Sequence, residues 1–257
     1  MSRNTDRATG FRLQASGWAI LAMLMLPGDA RAVELDTHAL LVKADAFRLA
    51  SAAARVTTRV EVLKGGALDK ERVYLVHVKP GRRSLVISRS PVEKGQKVLM
   101  VGDDFWIVLP SSQRPIRITP AQKLLGDAAT GDVATLTWAE DYTGHLAGEE
   151  EVEGVPCLRL ELAAARRGVT YARITLLLAR ADAHPISADL YVASDRIAKR
   201  ATFEMGTLAG RRGVVAMRLR DEIQTGRETV IQYLSQEPKD IPDEYFNPMV
   251  LTHHAPE

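Results

Sequence analysis

Hydrophobic and polar residues alternate along most of this chain. Val56, Thr58, Val60 and Val62 fall on one side of Thr57, Arg59 and Glu61, and Leu158, Leu160 and Leu162 oppose Arg159 and Glu161. Val215, Met217 and Leu219 likewise oppose Arg218 and Arg220. A period of two with one apolar face predicts antiparallel strands that are wet on one side. Further strands are predicted near 71–79, 84–90, 97–101, 105–109, 113–118, 142–152, 171–178, 186–194, 199–207 and 228–236. Gly65-Gly66, Lys79-Pro80-Gly81, Gly102-Asp103, Arg167-Gly168, Ser194-Asp195 and the Gly210–Gly213 stretch supply turns between them. Ahead of the strands, Asp36 can cap a helix in which Ala39-Leu40, Lys43-Ala44, Phe47 and Leu49-Ala50 form a partly amphipathic pattern.

Residues 119–139 break the alternation. Thr119-Pro120 opens a helical turn running to Leu125, with Pro at its first position, and Asp132 can cap a second helix over 133–139. Two short helices inside a run of strands predict a plug lying across a curved sheet. The alternative of a transmembrane barrel calls for aromatic girdles and longer strands. Aromatics make up only 5% of this chain, and it closes in Thr-His-His-Ala-Pro-Glu rather than in a strand.

The N-terminus has the form of a cleavable export signal. Arg3, Arg7 and Arg12 precede a short apolar core, Trp18–Leu26, then the break Pro27-Gly28 and an A-x-A site at Ala30-Arg31-Ala32. The apolar run is short of the roughly 20 residues that span a bilayer. The expected organisation is a signal peptide over 1–32 and one domain over 33–257, released as a soluble periplasmic protein, because no cysteine near the cleavage site could carry lipid. The chain holds 34 Lys+Arg and 32 Asp+Glu. Four Arg and two Asp leave with the signal, so the mature domain has 30 of each and is formally neutral. That balance argues against a nucleic-acid partner. The one cysteine, Cys157, has no intramolecular disulfide partner and sits in a predicted strand, as a small buried hydrophobe would.

Catalytic signatures are missing. Six histidines, among them His77, His145 and His184, form neither HExxH nor a zinc-ligand spacing, and there is no nucleophile elbow and no Walker A sequence. No metal, cofactor or catalytic residue is therefore expected. The acidic run Gly148–Gly154 reads as a solvated strand edge blunted by charge, or as a docking edge for a basic partner. Arg166-Arg167 and Arg211-Arg212 read as hairpin tips.

The order of features from Lys97 to Leu162 resembles the LolA-like outer-membrane lipoprotein-sorting family. Its pattern is a G-x-x-x-W-x-x-x-P strand, basic residues, a small helical insert, and an acidic strand entering G-x-x-C. Here these are Gly102, Trp106 and Pro110; Arg114 and Arg117; Asp141-Tyr142, Glu149-Glu150, Gly154 and Cys157. The resemblance runs from about Leu40 to Leu251. Together with the alternation it implies a mainly β (α+β) fold: a single curved antiparallel sheet of about 11 strands forming a half-open barrel, with short helices plugging the concave face. It also implies a carrier rather than an enzyme. Such a carrier binds acyl chains of lipoproteins or lipids in an apolar concavity, receives them from an inner-membrane exporter of the ABC or RND type, and hands them to an outer-membrane acceptor. The alternative is a periplasmic sensing module of the same fold that regulates a membrane partner. Candidate lining residues are Val60, Val62, Leu75, Trp106, Val108, Trp138, Leu177, Leu190, Phe203, Met205, Met217 and Leu219. An apolar concavity leaves little motif behind, since methylene burial (about 0.8 kcal/mol each) needs no directional groups.

Overall fold

The alternation does build a sheet, and a larger one than expected. The computed structural model describes residues 36–111, 114–119, 130–134 and 137–252, all within one unit, Leu35–Glu257. The expected signal peptide over 1–32 lies outside the described residues. The strands are β1 (Ala54–Lys64), β2 (Ala67–Lys79), β3 (Arg83–Ser88), β4 (Lys97–Val101), β5 (Asp104–Val108), β6 (Ile116–Ile118), β7 (Tyr142–Val152), β8 (Val155–Ala164), β9 (Arg173–Ala179), β10 (Pro185–Tyr191), β11 (Ile197–Leu208), β12 (Arg211–Asp221) and β13 (Arg227–Pro238). They form one sheet of 13 strands, in place of the expected 11 or so, in the order β6-β5-β4-β3-β2-β1-β13-β12-β11-β10-β9-β8-β7. Every pairing is antiparallel. The first and last strands meet in the middle, and the edges β6 and β7 flank the 119–141 insert in sequence.

Two-residue hairpins fix the register. Gly65-Gly66 and Glu153-Gly154 both have positive φ at both positions, the primed turn whose twist matches paired strands. In β1 the predicted face holds, with Val56, Thr58, Val60 and Val62 all buried. In β12 it shifts. The register with β11 shifts opposite Glu204 and Met205, leaving Val215 as the extra residue of β12, so Val214 rather than Val215 joins the core beside Met217 and Leu219.

The sheet curls strongly. Helix α1 (Thr37–Arg48), capped by Asp36 accepting from the His38 N–H at 2.9 Å, packs on both β12 and β7, which are five places apart in the sheet. β2 and β7 are eight places apart, which at about 4.8 Å per strand would be about 38 Å in a flat sheet. An ion pair closes one end of the curl. Arg82, in the turn after β2, reaches Asp141, just before β7, at 2.6 Å with both side chains almost wholly buried. Among the described residues the cover on the inner face is mainly α1. The insert contributes one described turn, α2 (Thr130–Ala134), packed on β3 and β4. That turn begins ahead of the expected helix over 133–139, and Asp132 lies within it rather than capping it. The expected turn up to Leu125 lies mostly outside the described residues.

The outer face carries a second apolar cluster. Across β2–β5, alternate residues point to opposite faces: Val76, Val78, Val86, Val98, Met100 and Phe105 go inward, and Leu75, Leu85, Ile87, Leu99 and Val108 go outward. The outward set is covered by the tail after β13, through Ile241, Phe246 and Leu251. Lys79 donates to the Ile241 carbonyl at 2.9 Å, and the buried Lys97 ammonium to the Leu251 carbonyl at 2.6 Å.

Candidate functional site

The buried stripe of α1 is Leu40, Leu41, Ala44, Asp45 and Arg48. Its first three members pack against the sheet. The last two carry charge into the interior, and they organise the space there. Asp45 accepts from the Trp138 backbone N–H at 2.7 and 2.8 Å, one distance to each oxygen, and from the Ala139 N–H at 2.8 Å. Arg48 lies flat over the Trp138 ring at 4.1 Å, and Phe203 meets that ring edge-on at 5.6 Å. The carboxylate and the guanidinium, one helical turn apart, thus fix the backbone and the ring of a single tryptophan.

The segment around Trp138 stands between two cavities, Trp138 lining one and its neighbours Thr137 and Ala139 the other. The inner one, about 40 Å3, lies beyond its ring and is lined by Phe203, Ile174, Leu190, Met217 and Leu219, with Tyr142, Tyr171 and Asp132 adding polar atoms. The outer one, about 240 Å3, is bounded by Asp45, Thr137 and Ala139 on the near side and by Leu49, Val78 and Met100 beyond. Val42 of α1 lines the outer cavity and is 50% exposed, an apolar side chain left in water where that cavity meets solvent.

Asp132, Tyr142 and Tyr171 of the inner wall are paired, while the buried Thr170 hydroxyl there has no hydrogen-bond partner among the described residues. Asp132 accepts from the Tyr171 hydroxyl at 2.7 Å and from the Lys199 ammonium, and Tyr142 donates to the Tyr171 carbonyl at 3.1 Å. Burial, reinforced by the Asp132 charge, pushes the Tyr171 hydroxyl well above the usual phenol range. Asp45 is perturbed differently. Burial raises its carboxyl from 3.8 to about 6, although the Ala139 and Trp138 amides and the Arg48 cation all favour the ionised form. No group of three or more metal-ligating side chains occurs among the described residues. The Cys157 thiol is buried, and that burial pushes it up from its ordinary value. β7 is indeed a sheet edge, with Glu149, Glu150 and Glu151 exposed and Glu149 paired to Arg180.

Five of the twelve residues expected to line a concavity come together around the inner cavity: Trp138, Leu190, Phe203, Met217 and Leu219. Val60 and Met205 belong to the same inner cluster without lining it, and Val62 continues the buried face of β1. Leu177 is half-buried between Leu176 and Leu178, which face inward. Leu75, Trp106 and Val108 lie in the outer cluster, beneath the tail. Sequence reasoning passed over Asp45, Arg48 and Tyr171, and read Asp132 only as a helix cap. The signal available for the first two was position: they continue the i, i+4 stripe of Leu40, Leu41 and Ala44.

A family model described as an uncharacterized protein matches residues 80–253. No curated protein matches the sequence. Among solved structures, a LolA superfamily protein from Nitrosomonas europaea is 28% identical, with a TM-score of 0.75 over 81% of this chain and 96% of that one. A DUF1329 family protein from Desulfovibrio piger (24% identity, TM-score 0.69) covers 83% of this chain and 97% of its own. A putative outer membrane lipoprotein-sorting protein domain from Vibrio parahaemolyticus (18%, 0.67) covers the same shares. These last two establish likeness of fold alone. With the order of Gly102, Trp106, Pro110, Gly154 and Cys157 already in hand, the chain belongs to the LolA-like outer-membrane lipoprotein-sorting family.

Proposed function

We propose that this protein is a soluble periplasmic carrier that takes acyl chains of lipoproteins or lipids into the hollow of its curled, half-open sheet and passes them toward the outer membrane. The observation that carries this reading is the divided apolar interior, with its outer cavity open beside Val42. Ligand pockets run about 300–1,000 Å3, so neither cavity alone suits a long chain. Joined across Trp138, they form one apolar path along the inner face. Residues 1–32 would direct export and be removed, and no helix among the described residues is long and apolar enough to cross a membrane.

Transfer needs no bond chemistry. Each methylene of the cargo is worth about 0.8 kcal/mol out of water, but it is already out of water in the donor bilayer. Moving the chain from one apolar medium to another is therefore nearly neutral. Its direction is set by the partners, an inner-membrane exporter of the ABC or RND type on one side and an outer-membrane acceptor on the other. Purification of the mature protein from periplasm without detergent, followed by mass spectrometry of its organic extract, tests the reading. A stoichiometric acyl-chain ligand is expected. An empty protein that also takes up no lipid from vesicles would sink it.

A further inference from the structure

The two cavities meet at the 137–139 segment, and one carboxylate holds two of its amides. We propose that Asp45 is a proton-operated clasp: ionised, it pins Trp138 between the two cavities, and protonated, it releases Trp138 and joins them into a single acyl-chain site. The inference rests on the carrier reading for what the joined space is for, but not for the clasp itself.

The geometry supplies the mechanism. A carboxylate offers acceptor lone pairs on both oxygens, and Asp45 uses both, with three contacts to two neighbouring amides. A carboxylic acid has one oxygen turned into a donor. The Trp138 N–H, 2.7 and 2.8 Å from the two oxygens, would then face an O–H, and at least one amide contact is lost. The site is 8% exposed, so water does not readily replace that contact. Once the 138–139 amides are loosened, the Trp138 carbonyl still accepts from the Asp141 and Tyr142 amides, at 3.0 and 2.9 Å, and the ring turns about that hinge against its stacking with Arg48 and Phe203.

Proton uptake falls in an accessible range because of what surrounds the group. Arg48, on the same helix, and the two amides of the 138–139 segment favour the anion. Asp141, ahead of β7, disfavours it, although its own charge is matched by Arg82 from the turn after β2. Glu140 and the Lys79 and Arg83 side chains border the outer cavity from farther out. Burial outweighs all of these and holds the carboxyl at about 6. With such a midpoint, the protonated fraction rises about thirtyfold between pH 7.5 and pH 4.5.

The test follows uptake of a pyrene-labelled acyl chain on phosphatidylcholine, presented in neutral vesicles, from pH 7.5 to 4.5. Alongside it, hydrogen exchange of the Trp138 and Ala139 amides is measured, corrected for the intrinsic pH dependence. The wild type is expected to take up the probe at least tenfold faster at pH 4.5, with loss of protection at those two amides and not in β1 or β13. Asp45→Asn, neutral at every pH, is expected to be fast and flat across the range. A wild-type profile without pH dependence, or the same dependence retained in Asp45→Asn, overturns the clasp. If Asp45→Asn fails to fold, the wild-type exchange measurement decides alone, and unchanged relative protection of the two amides overturns the proposal. If the probe never enters but the two amides open with acid, the clasp stands and the carrier reading fails.

Discussion

Removing the tail should cost this protein most of its stability, and the reason lies on the face of the sheet away from the site. Ile241, Phe246 and Leu251 are 1%, 5% and 1% exposed, seated on Leu75, Leu85, Ile87, Leu99 and Val108. At about 1.5–3 kcal/mol for each fully buried side chain, their burial is worth roughly 5–9 kcal/mol, an upper bound because the unfolded chain already hides part of that surface. The polar ties add less. Asp243 pairs with Lys79 at 2.6 Å and Arg83 at 2.8 Å, but is 75% exposed, so water screens both pairs and they carry little of the stability. Losing Leu251 also removes an acceptor from the buried Lys97 ammonium, whose pKa burial already lowers. Against a typical total of about 5–15 kcal/mol, deletion of 240–257 should leave a protein that is largely unfolded at 37 °C. Phe246→Ala is the graded version. Truncating a buried Phe costs about 3–5 kcal/mol, and each kcal/mol lowers Tm by about 2–4 °C at this size. Thermal unfolding followed by circular dichroism should show a drop of roughly 6–20 °C, with a matching fall in the urea midpoint. A Tm within about 2 °C of wild type would mean that the tail merely rests on the sheet, and the reasoning from burial would be refuted.

Three further outcomes follow from other parts of the molecule. Arg82→Met alone should destabilise by about 3–5 kcal/mol, because it strands the buried Asp141 carboxylate, and Asp141→Leu should cost less, because Arg82 keeps its pairing with Asp103, while the double variant should recover much of the Arg82→Met loss in urea unfolding; additive losses would count against it. Gly144→Ala should destabilise by about 1–3 kcal/mol or more, since a Cβ there would stand 2.1 Å from the Glu161 carbonyl of the paired strand; a Tm equal to wild type would show that β7 can move aside. Acid should act on two buried groups in opposite directions, which single variants would separate in unfolding curves from pH 7.5 to 4. His77 is held neutral down to about 4 by burial and by Lys239, Arg55 and Arg89, so the unfolded chain gains the proton first and stability falls by up to about 3 kcal/mol as pH drops from 6.5 toward 4. Asp45 gains its proton first in the folded chain, at about 6, so stability rises by a similar amount, up to about 3 kcal/mol, as pH drops from 6 toward 3.8. Asp45→Asn should therefore lose stability in acid more steeply than wild type, and His77→Met less steeply; the reverse order would refute both assignments.

What could be read from the sequence divides along the kind of force involved. Alternation marks a strand wherever one face is wet, so β1, β8 and β11 announce themselves, and β13 with them. The periodic stretches taken one by one match the strands of the sheet; the lower figure of about 11 came from the resemblance. Where both faces are buried, alternation vanishes. The runs Val73–Val76 and Leu85–Ile87 are continuously apolar, which is itself the sign of cover on both sides. That sign, joined to the apolar Ile241, Phe246 and Leu251 in a Pro-rich tail, would have separated Leu75, Trp106 and Val108 from the inner cavity. The charged interior was harder to foresee. Asp45, Arg48, Arg82, Asp132, Asp141 and Lys199 are residue types found mostly in water. Each is buried here only because a partner far along the chain meets it: Trp138 for Asp45, Asp141 for Arg82, Lys199 for Asp132. Hydrophobic pattern is a local property and specifies the walls of the cavity. The clasp that divides it is a long-range one, and only the curl of the sheet, bringing β7 back to the turn after β2, puts its parts in reach of one another.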